Sequence, residues 1–140
     1  MTTWGEEIFD DTVADGEEPA PTLFYATLED FVREQLAPMY RRALDSPSRT
    51  WCPQWWRHAE AISRLEALWR AWEHLRLDPA TGMSVWFRDH ADHHMAVLLD
   101  SEGPFKRCSA GKGHKPLEEL PLDPAPEGLF TPDGASALAS

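Results

Sequence analysis

Apolar side chains recur at steps of three and four residues between Ala61 and Leu75, and this stretch constrains the fold most. Such spacing places them on one face of an α-helix. The apolar positions are Ala61, Ile62, Leu65, Leu68, Trp69, Trp72 and Leu75. Acid-before-base pairs four residues apart support the same helix, and they are Glu60–Arg64 and Glu66–Arg70. The pattern predicts a helix from about Gln54 or His58 to Leu77.

A first helix is predicted after Thr27, because this residue is a good N-cap and Asp30 follows at capping-box spacing. Its apolar face comprises Phe31, Val32, Leu36, Met39, Tyr40 and Leu44. Pro38 removes one backbone donor and crowds the preceding turn. We therefore expect a kink near Glu34 and Gln35, or a split into two shorter helices.

A third helical stretch is predicted after Ser84, which is a suitable cap. The stretch is compatible with one helix or with two short helices broken near Asp89 to Asp92. Its core candidates are Val85, Trp86, Phe87, Met95, Val97 and Leu98. No stretch alternates as a strand does. The sequence predicts an all-α domain of three to four helices with long irregular loops.

Acidic charge is concentrated at both ends of the 140-residue chain. Seven acidic residues precede Thr22 and five follow Lys115, without Lys or Arg in either segment. Because the net charge is −11, the segment between them is close to neutral. Both ends are also rich in Pro, Gly and Ala, which is typical of unfolded segments. We predict disordered tails at 1–22 and 116–140 around a helical Trp-rich domain at 23–115.

The chain contains no apolar run near the roughly 20 residues that cross a bilayer. Its acidic beginning also lacks the features of a secretion signal. We therefore expect a cytoplasmic protein without membrane contact. In a reducing cytosol, Cys52 and Cys108 are better explained as thiols or metal ligands than as a disulfide.

Five of the seven tryptophans lie between Arg49 and Arg76. Trp69 and Trp72 fall on the predicted buried face, so we expect them in the core. Tryptophans at the start of the helix are core candidates too, but exposed members would suit stacking or an interface. The predicted binding surface combines them with nearby basic residues: Arg49, Trp51, Trp55, Trp56, Arg57, Lys106 and Arg107.

Two Cys–His pairs repeat one spacing, since five residues separate Cys52 from His58 and five separate Cys108 from His114. Two Cys and two His form a complete tetrahedral zinc ligand set, which would join the loop before the second helix to the loop after the third. Structural zinc sites generally use tighter pairs, however. In the alternative interpretation Cys52 is a small buried hydrophobic residue and His114 belongs to a loose loop.

"HADHH" is a second histidine cluster, with His90, His93 and His94 at spacings of three and four residues. Helical neighbours at this spacing can share a metal, but the same residues also describe an ordinary polar helix face. The Glu of an HExxH motif is absent, and so are a P-loop and a GxSxG motif. The sequence therefore offers no catalytic residues.

Four motifs carry a resemblance to a known family: "WCPxWWxH", "RLEALWRAWE", "MSVWFRDH" and "GPFxxC". Together they resemble domain of unknown function 4913, over roughly Phe24 to His114. The resemblance implies a bacterial cytosolic protein, from actinobacteria and often from their plasmids or phages. It implies no established reaction.

We expect a non-catalytic protein-interaction or accessory module of a bacterial mobile element, plasmid or phage. The alternative is a nucleic-acid-binding module, with zinc as a stabilising ion, because basic residues and tryptophans share two loops. A metal-dependent enzyme ranks third. It would need an open coordination position beside the histidines.

Overall fold

The computed structural model describes residues 22–132. The predicted disordered segment 1–22 therefore lies, apart from Thr22, outside the described residues, as does the end of the C-terminal tail from position 133. The described part of that tail, 116–132, contains no helix or strand and is exposed except at Leu129. The three-part division of the chain remains a prediction.

Helix α1 spans residues 28–39 and contains a π-helical segment, Val32–Leu36, between the α-helical segments Leu28–Phe31 and Ala37–Met39. The Thr27 hydroxyl caps it by accepting from the backbone N–H of Asp30, at 3.1 Å. The Asp30 carboxylate pairs with Arg33, at 2.7 Å, and so does not return the bond expected of a capping box.

Pro38 acts on α1 through the π-helical segment. Because Pro38 has no N–H to donate, the regular ladder is interrupted, and the Ala37 N–H bonds the Val32 carbonyl five residues back. The expected disturbance is thus accommodated within one continuous helix. The helix ends at Met39, so Leu44, predicted on its apolar face, lies in the following loop and is 46% exposed.

Helix α2 is Ala59–Leu75, preceded by the 3₁₀ turn Trp55–Arg57. Both predicted ion pairs form, at 2.9 Å for Glu60–Arg64 and 3.4 Å for Glu66–Arg70. Ala61, Leu65, Leu68 and Trp72 are buried as predicted. Ile62 is exposed because it points about 90° away from the centre of this stripe. Trp69 and Leu75, which flank the stripe, are only half-buried.

Helix α3 spans residues 82–99 as one continuous helix, with Gly82–Val85, a π-helical segment Trp86–Ala91, and Asp92–Leu99. It begins earlier than predicted, so Ser84 lies inside it. The carboxylate of Asp78 accepts from the backbone and hydroxyl of Thr81 and turns the chain after α2. At Gly82 the backbones meet so closely that a Cβ would clash with the Leu75 carbonyl oxygen.

The three helices enclose one core, at whose centre Trp86 is fully buried and donates its indole N–H to the Leu68 carbonyl, at 3.0 Å. Phe31 of α1 packs against Trp72 of α2. Residues 22–132 contain isolated β-bridges but no strand, which confirms the all-α fold. None of the described helices has the length and apolar character that crossing a membrane demands.

Candidate metal centre

Cys52, His58, Cys108 and His114 converge where the loop before α2 meets the loop after α3. One ligand atom from each side chain lies within 4.8 Å of all the others. Among residues 22–132, this Cys/His cluster is the one group of three or more potential ligands so arranged. The structure therefore brings together all four residues predicted as zinc ligands.

The contacts in the Cys/His cluster run crosswise between the two loops. Cys52 Sγ lies 3.5 Å from Nδ1 of His114, and Cys108 Sγ lies 3.5 Å from Nε2 of His58. Zinc bonds of about 2.3 Å to sulfur and about 2.05 Å to nitrogen, at tetrahedral angles, separate S from N by about 3.6 Å. These two distances match a tetrahedral zinc ion, and the other distances among the four ligand atoms are within 4.8 Å.

The loop before α2 is fixed by backbone bonds on both sides of Cys52. The Thr50 N–H donates to the carbonyl of Leu99 at the end of α3, at 2.9 Å. After Pro53 the 3₁₀ turn brings the His58 N–H to the Trp55 carbonyl, at 3.1 Å. His58 is the N-cap residue of α2, so the helix start fixes the backbone of this potential ligand.

The loop after α3 turns back on itself between Cys108 and His114. Ser109 and Gly113 form an antiparallel bridge, and Gly113 has a φ of 83°, which a residue with a side chain rarely adopts. The Thr50 hydroxyl donates to the Cys108 carbonyl and joins this hairpin to the loop before α2. The hairpin thereby returns His114 to the vicinity of Cys108.

The Cys/His cluster is largely enclosed. Cys52 is fully buried, Cys108 and His58 are nearly so, and His114 is half-buried. Phe105 covers it from within, since its ring makes edge contacts with His58 at 4.8 Å and with Trp51 at 5.0 Å between centroids. Water is thus kept from most of the potential ligand atoms.

Burial disfavours the thiolate form of Cys52, and the charge of Arg57 opposes this only weakly. Burial and the neighbouring Cys108 thiol raise the pKa of Cys52 to about 11, although the Gln54 backbone N–H opposes this shift. A second backbone N–H, from Lys115, points at Cys108 Sγ at 3.3 Å. Burial lowers the pKa of His58, which favours the neutral imidazole that binds metals. A divalent cation would supply the charge that two thiolates need.

The "HADHH" histidines do not converge in the same way. His94 Nδ1 lies 2.9 Å from the Arg64 guanidinium, which donates to it, and the His93 ring meets that of His94 edge-on. Burial, followed by the charge of Arg64, lowers the pKa of His94. These contacts match the alternative of a polar helix face.

The predicted binding surface is exposed to different degrees. Trp56 is 55% exposed, whereas Trp51 and Trp55 are half-buried and pack against the core. Lys106 pairs with Glu102, at 2.8 Å. The guanidinium of Arg57 donates to Gln54, at 2.9 Å. Within residues 22–132 no ion pair engages the remaining predicted arginines, which are Arg49, Arg57 and Arg107.

Glu73 is a buried carboxylate that we did not predict. It accepts from the backbone N–H groups of Phe24 at 2.8 Å and Tyr25 at 2.9 Å, and also from the side chains of Trp69 and Arg76. Burial alone would raise the pKa of Glu73, but these donors hold it below its usual value. The sequence contains one signal for this carboxylate, because Glu73 lies one helical turn after Trp69 and can accept from its indole N–H.

The comparisons with known proteins give one family. Residues 25–126 of the 140 match the family described as domain of unknown function, DUF4913, which confirms the resemblance and extends past His114. No curated protein and no solved structure matches the chain significantly. The chain belongs to the DUF4913 family.

Proposed function

We propose that the domain is a non-catalytic interaction module whose two long loops are held together by one structural zinc ion. The ligands are Cys52, His58, Cys108 and His114. The observation that carries the proposal is the crosswise 3.5 Å pairing of each cysteine with the histidine of the other loop. Two sulfur and two nitrogen ligands favour zinc over harder cations.

A structural role follows from the number of ligands. A catalytic zinc keeps one coordination position for water or substrate, whereas four protein ligands fill a tetrahedral shell. The enclosure of the cluster by Phe105 supports the same interpretation. A metal-dependent enzyme would require one of the four side chains to leave the ion.

The partner contact is assigned to the predicted binding surface, with a protein as the favoured partner. Trp56 supports this assignment because it lies in the 3₁₀ turn and its side chain is exposed. Tryptophans are enriched among the residues that contribute most to protein–protein binding. The family resemblance supplies the setting that we propose, a bacterial mobile element, plasmid or phage. A reducing cytoplasm would keep both thiols available for the metal.

A nucleic-acid partner is the second candidate. Arg57, Arg107, Lys112 and Lys115 lie on the two loops of the Cys/His cluster and, within residues 22–132, take part in no ion pair. Binding that weakens steeply from low to moderate salt would favour phosphate recognition. An aromatic protein interface should change little over the same range.

Elemental analysis of the full chain, purified without chelator, tests the metal. We expect about one zinc per chain, and near-complete loss in Cys52→Ser and in Cys108→Ser. The matched control is His90→Ala combined with His93→Ala, which also removes two potential ligands but should retain zinc. A wild-type protein that carries no metal and is insensitive to the cysteine substitutions would refute the proposal.

A further inference from the structure

A groove of about 620 Å³ lies between α1 and the tryptophan-containing loop. Leu36, Met95 and Leu99 are lining residues that are themselves nearly buried, and they form an apolar base. Trp55 and Trp56 contribute aromatic surface to the lining. A groove of this size and composition fits a short segment that presents large apolar side chains.

The lining of the groove also includes guanidinium groups. Arg41 and Arg42 follow the end of α1, where Tyr40 leaves the helical conformation. Arg41 donates to the Pro38 carbonyl, and the Arg42 guanidinium lies 4.5 Å from the centroid of the Tyr40 ring. Neither arginine is in an ion pair within the described part of the chain. The groove therefore offers two unneutralised positive charges next to apolar surface.

Residues 1–21 have the complementary chemistry. They contain seven acidic residues and no Lys or Arg. Ile8 and Phe9 stand between two acidic pairs, and Trp4 precedes them by about one helical turn. We propose that this segment binds in the groove of its own chain, with Trp4, Ile8 or Phe9 on the apolar base and carboxylates at Arg41 and Arg42.

The length of the segment permits this binding. Twelve residues separate Phe9 from Thr22, and extended chain covers about 3.3 Å per residue, or about 40 Å in total. A domain of this size is about 30 Å across, so half of its circumference is about 47 Å and about 40 Å of chain covers most of its surface. The groove is within this reach, because Glu29 of its lining lies seven residues after Thr22. Attachment also gives the segment an effective concentration of about millimolar, which strengthens a weak contact without added area.

The other candidate occupants are less suited. The C-terminal residues 133–140 contain one acidic residue and no aromatic one. A second copy of the chain would be repelled by its net charge of −11. An external acidic peptide would lack the effective concentration that attachment gives residues 1–21. The inference thus deepens the proposed function and rests on it for the contact surface, because a partner that uses Trp55 and Trp56 must first compete with residues 1–21.

Photo-crosslinking in the full chain tests the inference. With p-benzoylphenylalanine in place of Phe9, we expect intramolecular crosslinks to residues 32–42 or 51–56. The matched control carries the same group in place of Phe130, which is 66% exposed, and should not mark the groove. Reversing both charges with Arg41→Glu and Arg42→Glu should lower the crosslink yield by about fivefold.

Crosslinks between chains, at other surfaces, or absent altogether would overturn the inference, as would a yield unaffected by the charge reversal. Zinc content and thermal unfolding of each variant are measured in parallel. A zinc-loaded protein without groove crosslinks refutes only the occupant. A zinc-free protein with them refutes only the metal.

Discussion

The two ends of α2 join distant parts of the chain in different ways. Near its C-terminus Glu73 holds the segment before α1 by accepting from the backbone of Phe24 and Tyr25. Near its N-terminus the Cys/His cluster joins the loop before α2, which contains Cys52, to the loop after α3, which contains Cys108. Both ends are buried and polar, but we propose a bound ion only for the Cys/His end.

The difference lies in the partners that each polar group finds. The Glu73 carboxylate receives four donors from the protein, at 2.8 to 3.2 Å, so its charge is satisfied where it is buried. The cysteine sulfurs face ring nitrogens at 3.5 Å, and a thiol is a weak donor and a weak acceptor. Buried thiols with such weak partners support the cation that we propose, although the Lys115 N–H also contacts Cys108 Sγ at 3.3 Å.

Removal of metal should have the largest effect. With free zinc about a thousandfold above its dissociation constant, the bound ion stabilises the fold by about 4 kcal/mol. We therefore expect a chelator to lower the Tm of the wild-type protein substantially, as measured by calorimetry. The chelator should act through the Cys/His cluster and leave the hydrogen bonds of Glu73 intact.

Cys52→Ser is the control for chelation, because a variant that cannot hold the ion should unfold at the same temperature with and without chelator. An unchanged wild-type Tm after chelation would contradict the proposed difference between the two ends of α2. So would a cysteine variant that remained as sensitive as the wild type.

Glu73→Gln should have the next largest effect. The amide retains one acceptor oxygen but loses the negative charge to which Arg76 and the backbone N–H groups donate. We therefore expect the free energy of unfolding to fall by about 2 to 3 kcal/mol. Urea unfolding measures it, and zinc content should not change. Glu66→Gln is the matched control, since Glu66 pairs with Arg70 on the surface and should cost under about 0.5 kcal/mol.

The loss caused by Glu73→Gln should depend on pH with a definite sign. The pKa of Glu73 is lower in the folded than in the unfolded chain, so its contribution is present above the unfolded value of 4.5 and is lost as the pH falls through the folded value. The difference in unfolding free energy between the wild type and the variant should therefore shrink on acidification. A difference that stayed constant or grew would show that Glu73 does not act as a carboxylate.

His94→Ala should have a smaller effect than Glu73→Gln. This histidine already has a partner within the chain, the Arg64 guanidinium at 2.9 Å, so it resembles Glu73 more than His58. We expect a loss of about 1 kcal/mol in urea unfolding and no loss of zinc. Release of zinc on this substitution would show that the "HADHH" stretch, and not only the two loops, holds the ion.

Periodicity in the sequence predicted the helices because each buries a continuous stripe, as Leu65, Leu68 and Trp72 do. Equal Cys–His spacing predicted the four clustered residues, but not their crosswise pairing. That pairing depends on the Thr50–Leu99 contact and on the Gly113 hairpin, which join residues far apart in sequence. The role of Glu73 was not predicted for a related reason, because its backbone donors lie before α1 and are far from it in sequence.

The hairpin that returns His114 also determines which parts of the molecule a bound ion encloses. With ligands at Cys52 and at Cys108, the ion would convert α2 and α3 into a closed ring, and α1 would lie outside it. An ion that binds only the folded ring has to leave before the ring can open, so it stabilises α2 and α3 and leaves α1 without this protection. Exchange of backbone amide hydrogens should then divide the domain into two cooperative units, with α1 as the one that opens first.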